Sequence, residues 1–204
     1  MKPIGNLPTQ ENTPYLIVGL GNPGREYRQN RHNVGFMAVD HLAQKLDIRI
    51  SRLQSKALTG SGSFGGNKLV LAKPQTYMNL SGQSVSGLCN FYKVPLDHLL
   101  VIHDDLDLPT GTLRLRPSGG SGGQKGVASI IERLGTQDFA RLRIGIGRPP
   151  GQMDPADYVL EDFTPVEREV IALTLERVVQ AVLTFLRDGI HSAMNQYNGG
   201  LRDG

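Results

Sequence analysis

Cysteine is nearly absent from this chain of 204 residues: Cys89 stands alone, which excludes an intramolecular disulfide and fits a reducing compartment. Long apolar runs are missing too. None approaches the roughly 18 residues that a membrane-spanning helix needs, and residues 1–13 contain no apolar core of a secretion signal. The five histidines, at 32, 41, 98, 103 and 191, form no H-E-x-x-H pair and have no partner cysteines, so no metal or other cofactor is expected. No G-x-S-x-G elbow precedes a helix, which argues against a serine nucleophile. The glycine-rich stretch Ser118–Lys125 runs into Gly126 rather than G-K-S/T and is therefore no Walker motif. It retains the capacity to hold an anion through backbone N–H groups at the start of the helix expected near Val127.

What is present points to one globular unit. Apolar residues make up 39% of the chain and the net charge is +3, enough for one core and compatible with a nucleic-acid or phosphate partner. A short N-terminal extension over residues 1–14 and one domain over 15–204 are expected, in a soluble, cytoplasmic protein. Apolar runs predict strands at Leu16–Leu20, Ala57–Phe64, Leu69–Ala72, Leu99–His103, Thr112–Leu115 and Leu142–Ile146. Helical spacing follows Val34, surrounds Val85, Leu88, Cys89 and Tyr92, and runs from Val127 to Leu134, where Gly135 provides a stop. Thr164-Pro165-Val166-Glu167 is a capping box with proline at the first helical position, and apolar residues recur at helical spacing to Leu186. The alternation predicts an α/β fold: a single three-layer domain with a twisted, mostly parallel sheet and helices on both faces. The tight connection Gly65-Gly66-Asn67 makes the sheet mixed.

Gly19, Gly21 and Gly24 satisfy G-x-G-x-x-G after the run Tyr15–Val18, but no apolar-periodic helix opens directly from them, which weighs against a dinucleotide-binding protein. Strand exits in such sheets collect ligands. Three exits carry unusual polar residues: Asn22 with His32, Lys73–Gly82, and His103-Asp104-Asp105-Leu106-Asp107. A histidine held by an aspartate activates water, because the carboxylate fixes the tautomer and stabilises the imidazolium. His32 and Asp104 form the natural pair. Carboxamides such as Asn22 and Asn79 can donate to a carbonyl oxygen as it becomes an oxyanion, or accept from a peptide backbone. Taken singly, Asn22 also suits a turn, Asn79 a helix cap and Asp104–Asp107 a solvated strand end. Together they describe metal-free hydrolysis of an ester or amide.

The ordered set GLGNPGREY, RHNVGF, KPQTYMNLSG, HDDLDLPTG, GGSGGQKG and RLRIGIGRP with DYVL resembles bacterial peptidyl-tRNA hydrolase over roughly residues 15–191. The resemblance implies a monomeric α/β hydrolase that cleaves the ester between peptide and tRNA and recycles tRNA from aborted translation. It also implies that His32 is the general base and Asp104 its holder. Asn22 then separates N-blocked from free aminoacyl-tRNA. Tyr27, Tyr77, Met78 and Asn79 fall at substrate-contact positions, and Arg116 and Arg143 match residues associated with the acceptor end and its 5′-phosphate. The family usually has asparagine at Lys125 and histidine at Gln124; lysine accepts no hydrogen bond and adds a charge, so Lys125 is expected to meet a phosphate or a peptide carbonyl. A non-catalytic RNA-binding relative, like the chloroplast splicing factors that resemble the family, is the alternative.

Overall fold

The first strand, β1 (Tyr15–Gly19), has four consecutive buried residues from Leu16, as a strand covered on both faces requires. The computed structural model describes residues 13–200, so the expected N-terminal extension lies almost wholly outside the described residues. After β1 come α1 (Val34–Lys45), β2 (Arg52–Gln54), β3 (Ala57–Phe64), β4 (Asn67–Pro74), α2 (Ser81–Tyr92), β5 (Leu99–Asp105) and β6 (Leu113–Arg116). The chain continues through α3 (Lys125–Leu134), β7 (Ala140–Gly145), α4 (Pro155–Tyr158) and α5 (Pro165–Tyr197). The sheet order is β2-β3-β4-β1-β5-β7-β6. The centre is parallel, with β1 paired to β4 and β5 and β5 paired to β7, while β2, β3 and β6 join antiparallel at the edges.

Side-chain alternation splits the core into two layers. Ile17, Leu100, Ile102, Leu142 and Ile144 pack with α1 and α5, whereas Leu16, Val18, Leu99 and Val101 pack with α2 and α3. The three-layer expectation holds, and so does the mixed sheet: β3 and β4 form a hairpin through Gly65 and Gly66, both at positive φ. Helix ends follow their local signals. Gly135 caps α3 at φ 70°, and the Thr164–Glu167 box is formed with both hydrogen bonds. α5 is interrupted at Gly189, whose φ of 83° and ψ of 174° are not helical.

Several boundaries differ from the sequence expectation. β7 begins two residues earlier than Leu142 because Ala140 pairs with Leu100. α3 starts at Lys125, earlier than Val127, because the Gln124 side chain caps it. β2 and α4 were not expected: β2 is a three-residue edge strand and α4 a single turn, both too short to carry a periodic signal.

Candidate active site

Gly19 and Gly21 explain how the first strand exit is built. A Cβ on Gly19 would lie 2.1 Å from the Gly35 carbonyl oxygen, and one on Gly21 would lie 2.8 Å from the Phe36 ring. The glycines therefore let α1 press against the end of β1, and the G-x-G-x-x-G pattern is a packing device here. The turn over Arg31–Asn33 precedes α1 and carries His32 to the carboxyl end of the sheet.

Asn22 joins two exits. Its Oδ1 accepts from the Met78 N–H at 2.8 Å, while its backbone exchanges two hydrogen bonds of 2.9 Å with the Asn33 carboxamide. The Asn22 Nδ2 donor has no partner among the described residues and belongs to the cleft wall. Asn79 is exposed in the short turn Met78–Leu80 and makes no helix cap, since no side chain caps α2.

The third exit supplies Asp104, buried at the end of β5. Its Oδ2 lies 2.8 Å from His32 Nδ1, and its Oδ1 accepts from Gln124 Nε2 at 3.1 Å. Burial works against a charged Asp104, but the charge and hydrogen bond of His32 and the Gln124 hydrogen bond outweigh it and hold the carboxyl below the ordinary range. Neighbouring His103 is buried, with Nδ1 2.7 Å from the Asp104 carbonyl oxygen; a carbonyl only accepts, so Nδ1 carries the hydrogen. Burial pushes its pKa down, against the pull of Asp104 and Asp105.

These groups surround a cleft of about 650 Å³. His32, Asp104, Asn22, Tyr77, Met78, Asn79 and Lys125 all line it, together with Asp154 and Leu160. Lys125 is exposed at the first position of α3 and has no hydrogen bond or ion pair among the described residues. Tyr27, Arg116 and Arg143 do not line the cleft. Tyr27 is half-buried in the turn before Asn30, Arg116 is exposed at the end of β6, and Arg143 is in a close ion pair with Asp105, which does line the cleft. No group of three or more histidine, cysteine or acidic residues suited to a metal occurs among the described residues.

The chain is similar throughout to known hydrolases. The peptidyl-tRNA hydrolase family profile matches residues 16–203. The chain belongs to the peptidyl-tRNA hydrolase family. A peptidyl-tRNA hydrolase of Chloroflexus aurantiacus is 52% identical over 185 residues, 90% of this chain and 98% of that protein. A chloroplastic peptidyl-tRNA hydrolase of Arabidopsis thaliana is also 52% identical, over 91% of this chain and 65% of its own length. The crystal structure of peptidyl-tRNA hydrolase from Acinetobacter baumannii superposes with a TM-score of 0.85 at 36% identity, covering 91% of this chain and 96% of that one.

Within this family member, sequence reasoning missed two residues that shape the site. Gln124, noted only as a departure, is the second hydrogen-bond partner of Asp104 and also accepts from the Val127 N–H at 2.8 Å. Its place as the residue before a helical pattern was the available signal. Arg31 carried no local signal at all: its aromatic and acidic partners, Tyr158, Phe163 and Glu167, are more than a hundred positions away in the chain.

Proposed function

We infer that the chain hydrolyses the ester linking peptide to tRNA with a water activated by His32. The hydrolase activity is that of the family to which the chain belongs; the assignment of residues rests on the His32 Nδ1–Asp104 Oδ2 contact of 2.8 Å at the cleft. That contact directs the other ring nitrogen, Nε2, which has no partner among the described residues, to act as base. Nε2 takes a proton from water while the oxygen bonds to the ester carbonyl carbon. The tetrahedral oxyanion then collapses, the bond to the ribose oxygen breaks, and the proton on Nε2 passes to that leaving oxygen. Asp104 stays ionised and holds the imidazolium.

The carboxamides set the frame around this step. Asn22 Nδ2 and the exposed amide of Asn79 are donors for the carbonyl or for the blocked N-terminal amide of the substrate. Tyr77, on the rim at 61% exposure, offers a stacking face, and Met78, fixed by Asn22, shapes the floor. Tyr27 is a contact for parts of the substrate beyond the cleft. Arg116 and Arg143 are assigned to tRNA phosphates, which give position without sequence; because Arg143 already pairs with Asp105, a phosphate there shares the guanidinium with a carboxylate. Lys125 adds a cation at the α3 end of the cleft for the same anionic chain. A single chain supplies all of these groups, which supports a monomer. No helix among the described residues is long and apolar enough to cross a membrane, in keeping with action where tRNA is used, in the cytoplasm.

Release of tRNA from N-acetyl-aminoacyl-tRNA tests the assignment, with free aminoacyl-tRNA as control. His32→Ala should lower kcat by about 10²-fold or more and leave folding intact, and Asp104→Asn should slow turnover through loss of the tautomer and the charge. Near-parental turnover in a folded His32→Ala protein overturns the base assignment. RNA binding without any turnover in the parental protein would favour the non-catalytic alternative.

A further inference from the structure

Arg31 is 97% buried, next to the proposed base, and yet it does not line the cleft. Its guanidinium is held at both Nη atoms by the segment that follows β7, while Nε is buried with no hydrogen-bond partner among the described residues. Nη1 reaches the carbonyl oxygens of Tyr158 at 3.4 Å and Glu161 at 3.3 Å, and Nη2 donates to Glu167 Oε2 at 2.8 Å. The plane lies 4.2 Å from the Tyr158 ring centroid and 5.6 Å from that of Phe163. A buried arginine with a fork of donors and two aromatic faces is a rigid joint, and lysine reproduces neither feature in full.

The backbone beside Arg31 makes a second set of bonds to the same segment. Arg31 N–H donates to the Glu161 carbonyl at 3.0 Å, His32 N–H to the Val159 carbonyl at 2.8 Å, and Phe163 N–H to the Gln29 carbonyl at 3.2 Å. Val159 and Leu160 line the cleft, as do Asp154, Pro155 and Ala156. One wall of the cleft is therefore bonded directly to the main chain of His32. Glu167 extends the joint further, since the same Oε2 that receives Arg31 also accepts from the Thr164 N–H at 2.7 Å and so belongs to the cap of α5.

We propose that Arg31 is a positioning residue that locks the 154–163 wall and the His32 turn into one body, so that a substrate pressing on Val159 and Leu160 is felt as alignment of His32 against Asp104. The proposal rests on His32 being the base. Removing the joint leaves the phosphate-binding arginines and the cleft floor in place, so affinity changes little. Alignment is what suffers, and a misplacement of about 1 Å in a reacting group costs up to about 10²-fold in rate.

The experiment measures kcat and KM on N-acetyl-aminoacyl-tRNA, and the thermal midpoint, for Arg31→Met, Arg31→Lys, Glu167→Gln and His32→Ala, with the low-field proton NMR signal of His32 Nδ1–H recorded on the first three and assigned by its loss in His32→Ala. Arg31→Met should lose about tenfold or more in kcat with KM within about twofold, and the Nδ1–H signal should weaken or shift; Arg31→Lys should fall between it and the parent. A lowered thermal midpoint with parental kcat and an unchanged signal overturns the proposal, because that is the behaviour of a residue that only stabilises. If Arg31→Met does not fold, Glu167→Gln decides by the same criteria: it keeps an oxygen for the α5 cap and removes the nearer of the two carboxylate charges beside Arg31, the other being Glu161 Oε2 at 3.8 Å from Nη1. Full activity in His32→Ala would instead overturn the base assignment and this inference with it, whereas an inactive His32→Ala beside a fully active Arg31→Met removes the joint alone.

Discussion

Gln124 uses one carboxamide for two purposes: Oε1 closes the first turn of α3, and Nε2 donates to the carboxylate that holds His32. An imidazole at this place would titrate near neutrality, whereas the amide keeps its donor at every pH. Gln124→Ala should therefore cost about 1 kcal/mol of stability through the lost cap and lower kcat by about tenfold or more, through loss of a hydrogen bond to a charged group worth about 1.5–3 kcal/mol. Gln124→Glu should be worse in kcat, because a second carboxylate beside Asp104 repels it and favours a proton on the pair, which weakens the hold on His32. Urea unfolding and steady-state kinetics on both variants check this; parental kcat in both would show that Asp104 needs only His32. Lys125, one residue on, puts a cation at the positive end of the α3 dipole, which is unfavourable by about 0.3–1 kcal/mol when nothing compensates. No carboxylate pairs with it among the described residues, so an arriving anion is the compensation that the functional assignment supplies.

At the scale of elements, the residues legible in the sequence were those whose partners are near in the chain or whose pattern is periodic. β3 agrees end to end, the α5 capping box is where Thr164 and Glu167 put it, and the three polar strand exits meet in one cleft. Arg31 was unreadable for the opposite reason: a charged residue in a polar stretch becomes buried only because Tyr158, Phe163 and Glu167 arrive from the far end of the domain. The role of Gly35 was likewise hidden, since a glycine inside a helical pattern reads as a local weakness. A Cβ there would lie 2.5 Å from the carbonyl oxygens of both Leu20 and Ile102. Helix propensity alone favours Gly35→Ala by about 1 kcal/mol, but backbone oxygens cannot rotate away, and overpacking costs about 1–3 kcal/mol. The variant should therefore be less stable than the parent and should lose turnover as well, because α1 would move with His32 attached. Equal or higher stability in urea unfolding would mean that β1 and α1 separate easily.

Across the whole molecule, the site imposes a pH dependence on folding. His103 has its pKa lowered by burial and by Arg143, although Asp104 and Asp105 pull it upward. The unfolded chain presents a histidine of ordinary pKa, about 6.5. Above that value both states are neutral and the full stability is present; as pH falls below it, the unfolded chain binds a proton that the folded chain refuses. Stability then declines by up to about 1.4 kcal/mol per pH unit until the folded imidazole is itself protonated. Asp104 acts lower down: its folded pKa is depressed, so its contribution is present above the ordinary carboxylate value and is lost as pH falls through the folded one. The two windows are separate. His103→Asn keeps a side-chain N–H for the Asp104 carbonyl oxygen and removes the titrating ring. The stability difference between parent and variant, from urea unfolding at pH 7, 6 and 5, should shift in the variant's favour as pH falls, while the decline below about pH 4 persists in both. A difference that stays constant from pH 7 to 5 would show that the buried ring gains its proton in the folded state as readily as in the unfolded chain.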